Sequence, residues 1–144
     1  MQRLIDLARE QTEATIRRLG ELNRQYSAVS GKLDLLLQYR EEYQQRFEAA
    51  VRTGLSQTEW QNFRNFIGKL DEAIAQQRQM QQESMRRVEE GRLAYREAHR
   101  KLKSFETLEA RHEAREMVRS TRREQKDLDE ISSNAYTRKL SGDL

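Results

Sequence analysis

Apolar residues recur along this chain in alternating steps of three and four, in two long runs separated by one interruption. In the first run Ile5, Ala8, Thr12, Thr15, Leu19, Leu22, Tyr26, Val29, Leu33, Leu36, Arg40, Tyr43, Phe47 and Ala50 keep that spacing, and eleven of the fourteen are apolar. The second run restarts at Trp60 and continues through Phe63, Ile67, Leu70, Ile74, Gln77, Gln81, Ser84, Val88, Gly91, Tyr95, Ala98, Leu102 and Phe105, with ten of the fourteen apolar. A stripe repeating every 3.5 residues keeps a helix facing a partner helix as the two supercoil, knobs into holes. The period-two alternation of a half-buried strand is absent, so the predicted class is all-α.

The interruption is Thr53-Gly54-Leu55-Ser56. Gly54 can close the first helix in a left-handed conformation, and Ser56 with Glu59 has the spacing of a capping box that opens the second. So short a loop makes the helices antiparallel neighbours, with facing residues whose numbers add to about 110. The prediction is a single elongated coiled-coil domain over residues 1–144: helix one over about 2–52, a loop at 53–56, helix two over about 57–133 and a frayed tail at 134–144. At 1.5 Å per residue the first helix would be ~75–80 Å long and the second ~115 Å, so the second overhangs. The seam is expected to fade where the partner ends, and positions 109, 112, 116 and 119 are Glu, His, Glu and Arg.

Gln77, Gln81 and Ser84 are polar seam positions, expected opposite Leu33, Val29 and Tyr26, and they predict a weakly packed middle. Such residues specify register and discourage other oligomers, or mark a hinge. Apolar residues also lie off the seam near the loop: Leu35, Leu37 and Tyr39 on helix one, Phe66 and Ala73 on helix two. With Leu36, Tyr43 and Leu70 they form a second stripe that the partner helix cannot cover. Two readings fit it, a widened or dimerising seam and a docking surface anchored by aromatic rings.

Charged residues and apolar residues each make up 35% of the chain, with no proline and six glycines, the composition of long exposed helices and not of a packed globule. The net charge of +3 is unevenly spread. Residues 1–85 hold twelve basic and twelve acidic side chains, residues 86–126 hold thirteen against eight, and from Asp127 onward acids lead by four to two. Glutamates three or four residues from arginines run through the basic stretch, as on a solvated helix face, and no aromatic interleaving suits base stacking, so nucleic acid is not an expected partner. No cysteine is present, no apolar run approaches the ~18 residues of a membrane span, and the N-terminus lacks the apolar core of a signal peptide. A cytoplasmic protein, monomeric when free, is expected.

Catalysis needs groups converging in a concave, partly dry site, which two paired helices do not provide, so no enzyme activity, cofactor or metal is expected. His99 and His112 stand thirteen residues apart on one helix, too far to share a metal. Glu109-Ala110-Arg111-His112 has the Glu-x-x-His spacing of di-iron bundles, but its partner helices are missing. Gly31-Lys32 lacks the upstream glycine of a phosphate loop.

Several segments together resemble the FliJ family, soluble components of the bacterial flagellar type III export ATPase complex. They are Leu7-Ala8 with Leu19-Gly20, the stretch Leu36-Leu37-Gln38-Tyr39-Arg40-Glu41-Glu42-Tyr43, Trp60 with Phe66-Ile67, Leu70 and Ala73-Ile74, then Tyr95-Arg96-Glu97, Leu102 and Gln125-Lys126-Asp127-Leu128-Asp129-Glu130. The resemblance implies a long antiparallel coiled coil, like the central stalk of rotary ATPases, whose open end enters the hexameric flagellar export ATPase. It also implies docking on the cytoplasmic domain of the export gate protein FlhA, cycling of export chaperones, and a place at the cytoplasmic face of the inner membrane through these partners. Carried onto this chain, the gate surface would be Leu36, Tyr39, Tyr43, Phe66, Leu70, Ala73 and Gln77. The ring-facing end would include Leu4, Leu7, Arg111, Arg115, Arg119, Arg122 and Arg123, with little segment before Leu4 for further ring contacts. The alternatives are a general coiled-coil tether or a helical chaperone without ATPase coupling.

Overall fold

A computed structural model describes residues 1–142 of the chain. Among them are two helices and no strand: α1 spans Gln2–Thr53 and α2 spans Gln57–Gly142, with 52 and 86 residues. With no proline anywhere, neither hydrogen-bond ladder loses a donor, and the sequence permits helices of this length. The fold is an all-α helical hairpin.

The turn follows the residues that predict it. Gly54 has φ 97°, a left-handed conformation that costs a residue bearing Cβ ~1–2 kcal/mol, and its N–H donates to the Val51 carbonyl at 3.3 Å. Ser56 Oγ accepts from the Glu59 N–H at 3.2 Å, and its carbonyl accepts the first helical bond, from Trp60 N–H at 3.0 Å. Ser56→Ala removes the side-chain cap and is expected to cost ~1 kcal/mol, read as an earlier thermal melt of the helical circular dichroism signal.

The chain divides into two compact units, Glu10–Ala98 and the combination of Met1–Arg9 with the chain from His99 onward. In the larger unit the helices run antiparallel across the turn. Every heptad position predicted there is buried or half-buried except Trp60. The contacts join residues whose numbers add to about 110, as in Arg40 with Asp71, Phe47 with Phe63 and Gln81 with Ser30. Trp60 departs from its predicted seam position: it is 44% exposed, with the Arg64 guanidinium 5.1 Å from its ring centroid. In the first turn after the loop the ring lies on the surface and is covered from one face by a cation.

The middle of the hairpin is tighter than its polar composition predicts. Ile74, Gln77, Ser84, Val88 and Gly91 are all buried. Gln77 Nε2 donates to the Val29 carbonyl at 3.0 Å, and Gln81 Nε2 donates to Ser30 Oγ at 3.0 Å. No buried side-chain nitrogen or oxygen among the described residues lacks a partner, so the polar layers carry no unpaired desolvation cost. Gly91 lets α1 come close: a Cβ placed there would lie 2.9 Å from Leu22 Cδ1 and 3.4 Å from Leu19 Cδ1.

In the smaller unit Ile5, Ala8 and Leu102 form a buried cluster with Phe105 packed against it. Beyond Glu109 every described residue of α2 is exposed. The helix nevertheless continues to Gly142, past the end predicted near Ser133 and through most of the predicted frayed tail; residues 143 and 144 lie outside the described residues. Ser132-Ser133-Asn134 reads as a stop, but no Gly or Pro stands there to break the ladder. The hydroxyls downstream bond within the helix, Thr137 Oγ1 to the Ser133 carbonyl at 2.9 Å and Ser141 Oγ to the Thr137 carbonyl at 3.0 Å.

Candidate functional site

The seven residues of the predicted gate surface all lie in the larger unit, on one flank of its seam. Leu36, Tyr39 and Tyr43 share a face of α1 at steps of three and four, as do Phe66, Leu70, Ala73 and Gln77 on α2. Tyr43 joins the two helices: its ring centroid lies 4.4 Å from that of Phe66 and 5.2 Å from that of Phe63, and Phe63 is 5.4 Å from Phe47. All three ring pairs are tilted, the arrangement in which aromatic quadrupoles attract. Tyr39 is 63% exposed and Phe66 44%, while Leu36, Tyr43, Leu70 and Ala73 are half-buried.

Gln77 is placed differently. It is 4% exposed and its amide is spent on the Val29 carbonyl, so it fixes the seam and presents little to a partner. What remains accessible is an aromatic surface made of Tyr39 and Phe66, edged by Tyr43, Leu36, Leu70 and Ala73. Leu35, exposed one turn before Tyr39, lines a shallow depression with Tyr39, Gln38 and Glu42 and widens the apolar area. Leu37 belongs elsewhere: it lines a groove on the other flank of the seam with Arg40, Asp71 and Ile74.

In that groove Arg40 Nε donates to Asp71 Oδ1 at 2.5 Å and Nη2 to Oδ2 at 3.4 Å. The side chains keep 37% and 51% of their surface, so the pair is screened by solvent. The hydrogen bond to Arg40, outweighing partial desolvation, holds the Asp71 carboxyl below its usual range, and the same bond raises Arg40 above its own. A lowered folded pKa means that Asp71 contributes stability above the unfolded carboxylate value of ~3.9 and loses it as pH falls through the folded value. The raised Arg40 value matters only in strong alkali. Asp71→Asn is expected to lower stability by up to ~1 kcal/mol at neutral pH, the ceiling for exposed pairs, with the difference from the parent shrinking in acid as pH falls through the folded Asp71 value. Urea titrations at neutral and acid pH read this directly, and a pH-independent difference would mean the ion pair is not its source.

The second predicted set lies in the smaller unit. Leu4 and Leu7 are exposed beside the buried Ile5 and Ala8. Arg111, Arg115, Arg119 and Arg122 follow steps of four, four and three and form one exposed stripe on α2, whereas Arg123 points about 100° away from Arg122. Arg119 pairs with Glu116 at 3.4 Å. The structure thus aligns four of the five arginines on one face. The same segment also exposes Met117, Val118, Leu128 and Ile131, which lie off the frame of the original seam.

Among the described residues no three His, Cys, Asp or Glu side chains are grouped to hold a metal. The surface depressions are shallow and lined mostly by glutamine, arginine and glutamate along helix faces, without a convergent set of nucleophile, base and oxyanion donors.

The profile of the family described as "Flagellar FliJ protein" matches residues 1–141. The chain belongs to the FliJ family. It is similar to the flagellar FliJ protein of Escherichia coli strain K12, 30% identical over 136 residues that cover 94% of this chain and 92% of the relative. It is also similar to that of Salmonella typhi, 29% identical over 139 residues covering 96% and 95% of the two chains. No solved structure gives a significant match. Because the FliJ match runs through both helices and the turn, it applies to both compact units. No described helix is long and apolar enough to cross a membrane.

Proposed function

We propose that this chain serves bacterial flagellar protein export as a non-catalytic coupling subunit. In this reading the aromatic flank of the larger unit docks on the cytoplasmic domain of the gate protein FlhA. The smaller unit, with Leu4, Leu7 and the stripe from Arg111 to Arg122, engages the hexameric export ATPase. ATP hydrolysis stays in the ring, export chaperones are handed on near the gate, and the chain works in the cytoplasm at the inner membrane through these partners.

The observation that supports the reading is the exposure of Tyr39 and Phe66 next to a tilted aromatic cluster that already bridges both helices. A hairpin that needs its rings only for its own seam would bury them. A rigid aromatic platform has little side-chain entropy to lose on binding, which is why such residues anchor interfaces. The arginine stripe is the complementary feature of the smaller unit, suited to an acidic partner surface.

The test uses purified export ATPase from the same source. Added in equimolar amount, the full chain is expected to promote ring assembly, seen by sedimentation, and to raise ATP turnover several-fold. Replacing Arg111, Arg115, Arg119 and Arg122 together by glutamine should remove the stimulation and leave helicity intact. If the parent chain changes neither assembly nor turnover, the coupling role is wrong and a passive tether takes its place.

A further inference from the structure

Along the α2 extension a second heptad stripe begins just after the first ends, shifted to a different face. Ala110, Ala114, Met117, Thr121, Glu124, Leu128, Ile131 and Ala135 follow strict steps of four and three, and six of these eight are apolar. All are exposed, Met117 at 74%, so no part of the described chain covers them. Such spacing is the signature of a helix that faces another helix.

From these observations we infer that the α2 extension pairs antiparallel with the same segment of a second copy of this chain. The first ground is that the stripe reads nearly the same from either end. Antiparallel pairing about a two-fold axis between Thr121 and Glu124 sets Ala110 against Ala135, Ala114 against Ile131, Met117 against Leu128, and Thr121, whose hydroxyl donates to its own Met117 carbonyl at 2.9 Å, against Glu124 of the other copy. An isologous two-fold contact requires such self-complementarity.

The second ground is charge. Residues 110–123 carry five arginines against two glutamates, a net of +3, while residues 124–135 carry one lysine against four acids, a net of −3. Antiparallel pairing runs each half alongside the oppositely charged half of the second copy, an attraction that acts at a distance because Arg115, Arg119, Arg122 and Arg123 stand on the far side of α2 from the seam. Parallel pairing would lay like on like and bring the two Glu124 carboxylates into one layer, at a cost. The flanking positions agree: Arg111 meets Ser132, Glu113 meets Asn134, Val118 meets Gln125 and Ser120 meets Asp127, with no like-charged pair.

Apart from Arg111, which edges the new seam, this contact is separate from the proposed ring surface. The stripe of Arg111, Arg115, Arg119 and Arg122 stands about 150° around α2 from the centre of the new seam. Loss of self-pairing therefore does not imply loss of ring binding, and the two tests can fail independently.

Sedimentation equilibrium of the full chain at increasing concentration is the direct test. The mass is expected to rise from the single-chain 17.2 kDa towards twice that value over the micromolar range, and to fall back as salt screens the charged halves. Met117→Glu with Leu128→Glu should raise the dissociation constant at least ~10-fold; both sites lie on exposed helix, so circular dichroism should be unchanged. Because the chain has no cysteine, direction can be read by disulfide trapping. A mixture of Ala110→Cys and Ala135→Cys chains should give the mixed dimer in preference to either homodimer. A mass that stays at one chain up to ~200 µM, well above a micromolar dissociation constant, would overturn the inference and leave the stripe to another partner. Preferential Ala110→Cys homodimers would overturn it in favour of parallel pairing.

Discussion

Leu22→Ala is expected to destabilise the hairpin by ~2–3 kcal/mol, and adding Gly91→Ala should recover ~1 kcal/mol of that loss. Leu22 is 4% exposed, and its Cδ1 occupies the space beside Gly91, 2.9 Å from where a Cβ would stand. Deleting the leucine side chain removes buried carbon and leaves a void. The cost falls at the low end for a buried leucine because a two-helix seam is bordered by solvent and can partly collapse. In the parent, Gly91→Ala has two opposing effects: better helix propensity gains ~1 kcal/mol, while crowding against Leu22 and Leu19 costs ~1–3 kcal/mol. Leu22 can rotate its flexible tip, so the net change should be a loss between about zero and 2 kcal/mol. Once Leu22 is alanine, only the propensity gain and the partly filled void remain. The two substitutions should therefore be coupled by ~1–3 kcal/mol in a urea double-mutant cycle followed at 222 nm. Strict additivity would show that the helices do not meet in this register.

That register was legible before any coordinate, because three independent signals agree on it. Heptad spacing places Leu22 and Val88 inside, Gly54 and Ser56 place the turn, and the short loop fixes which residues face each other. Local propensity and tertiary packing ask the same thing of the chain here. Trp60 follows the spacing yet stays 44% exposed in the first turn after the loop, with the Arg64 guanidinium over its ring. From its polarity and spacing Gln77 reads as a weak point and as part of a docking surface; in the structure it is buried, with its amide donating to the Val29 carbonyl. Polarity alone could not tell this, since whether a buried amide weakens a seam depends on whether a carbonyl lies within reach. In the extension of α2 two heptad frames overlap. Its first seam decays into Glu109, His112, Glu116 and Arg119, while the stripe from Ala110 to Ala135 restarts on another face, so following one frame hides the other. Helix continuity to Gly142 is hidden for a related reason: Ser132-Ser133-Asn134 favours a helix end, but the Thr137 and Ser141 hydroxyls downstream bond one turn back within the helix.

The accessible rings separate docking from packing more sharply than any other residues. Tyr39→Ala is expected to weaken binding to the FlhA cytoplasmic domain by ~30-fold, about 2 kcal/mol, the usual scale for truncating an aromatic anchor. It should leave the urea midpoint unchanged, because Tyr39 is 63% exposed and little of its ring is covered within the chain. Phe66→Ala should show a mixed effect. It removes an exposed anchor and also the ring contact with Tyr43 at 4.4 Å, so a stability loss of ~0.5–1.5 kcal/mol accompanies the binding loss. Gln77→Ala is the opposite case: stability falls by ~1–2 kcal/mol as the amide's hydrogen bond and packing are lost, and binding measured well below the melting temperature changes little. Calorimetric titration of the three variants, each checked by urea denaturation, orders them by the ratio of binding loss to stability loss. The docking reading requires Tyr39 to rank first and Gln77 last. Equal binding losses at all three positions would mean that the gate responds to the folded hairpin as a whole. An unchanged affinity for Tyr39→Ala would remove the aromatic flank from the interface and leave its exposure to be explained by a different partner.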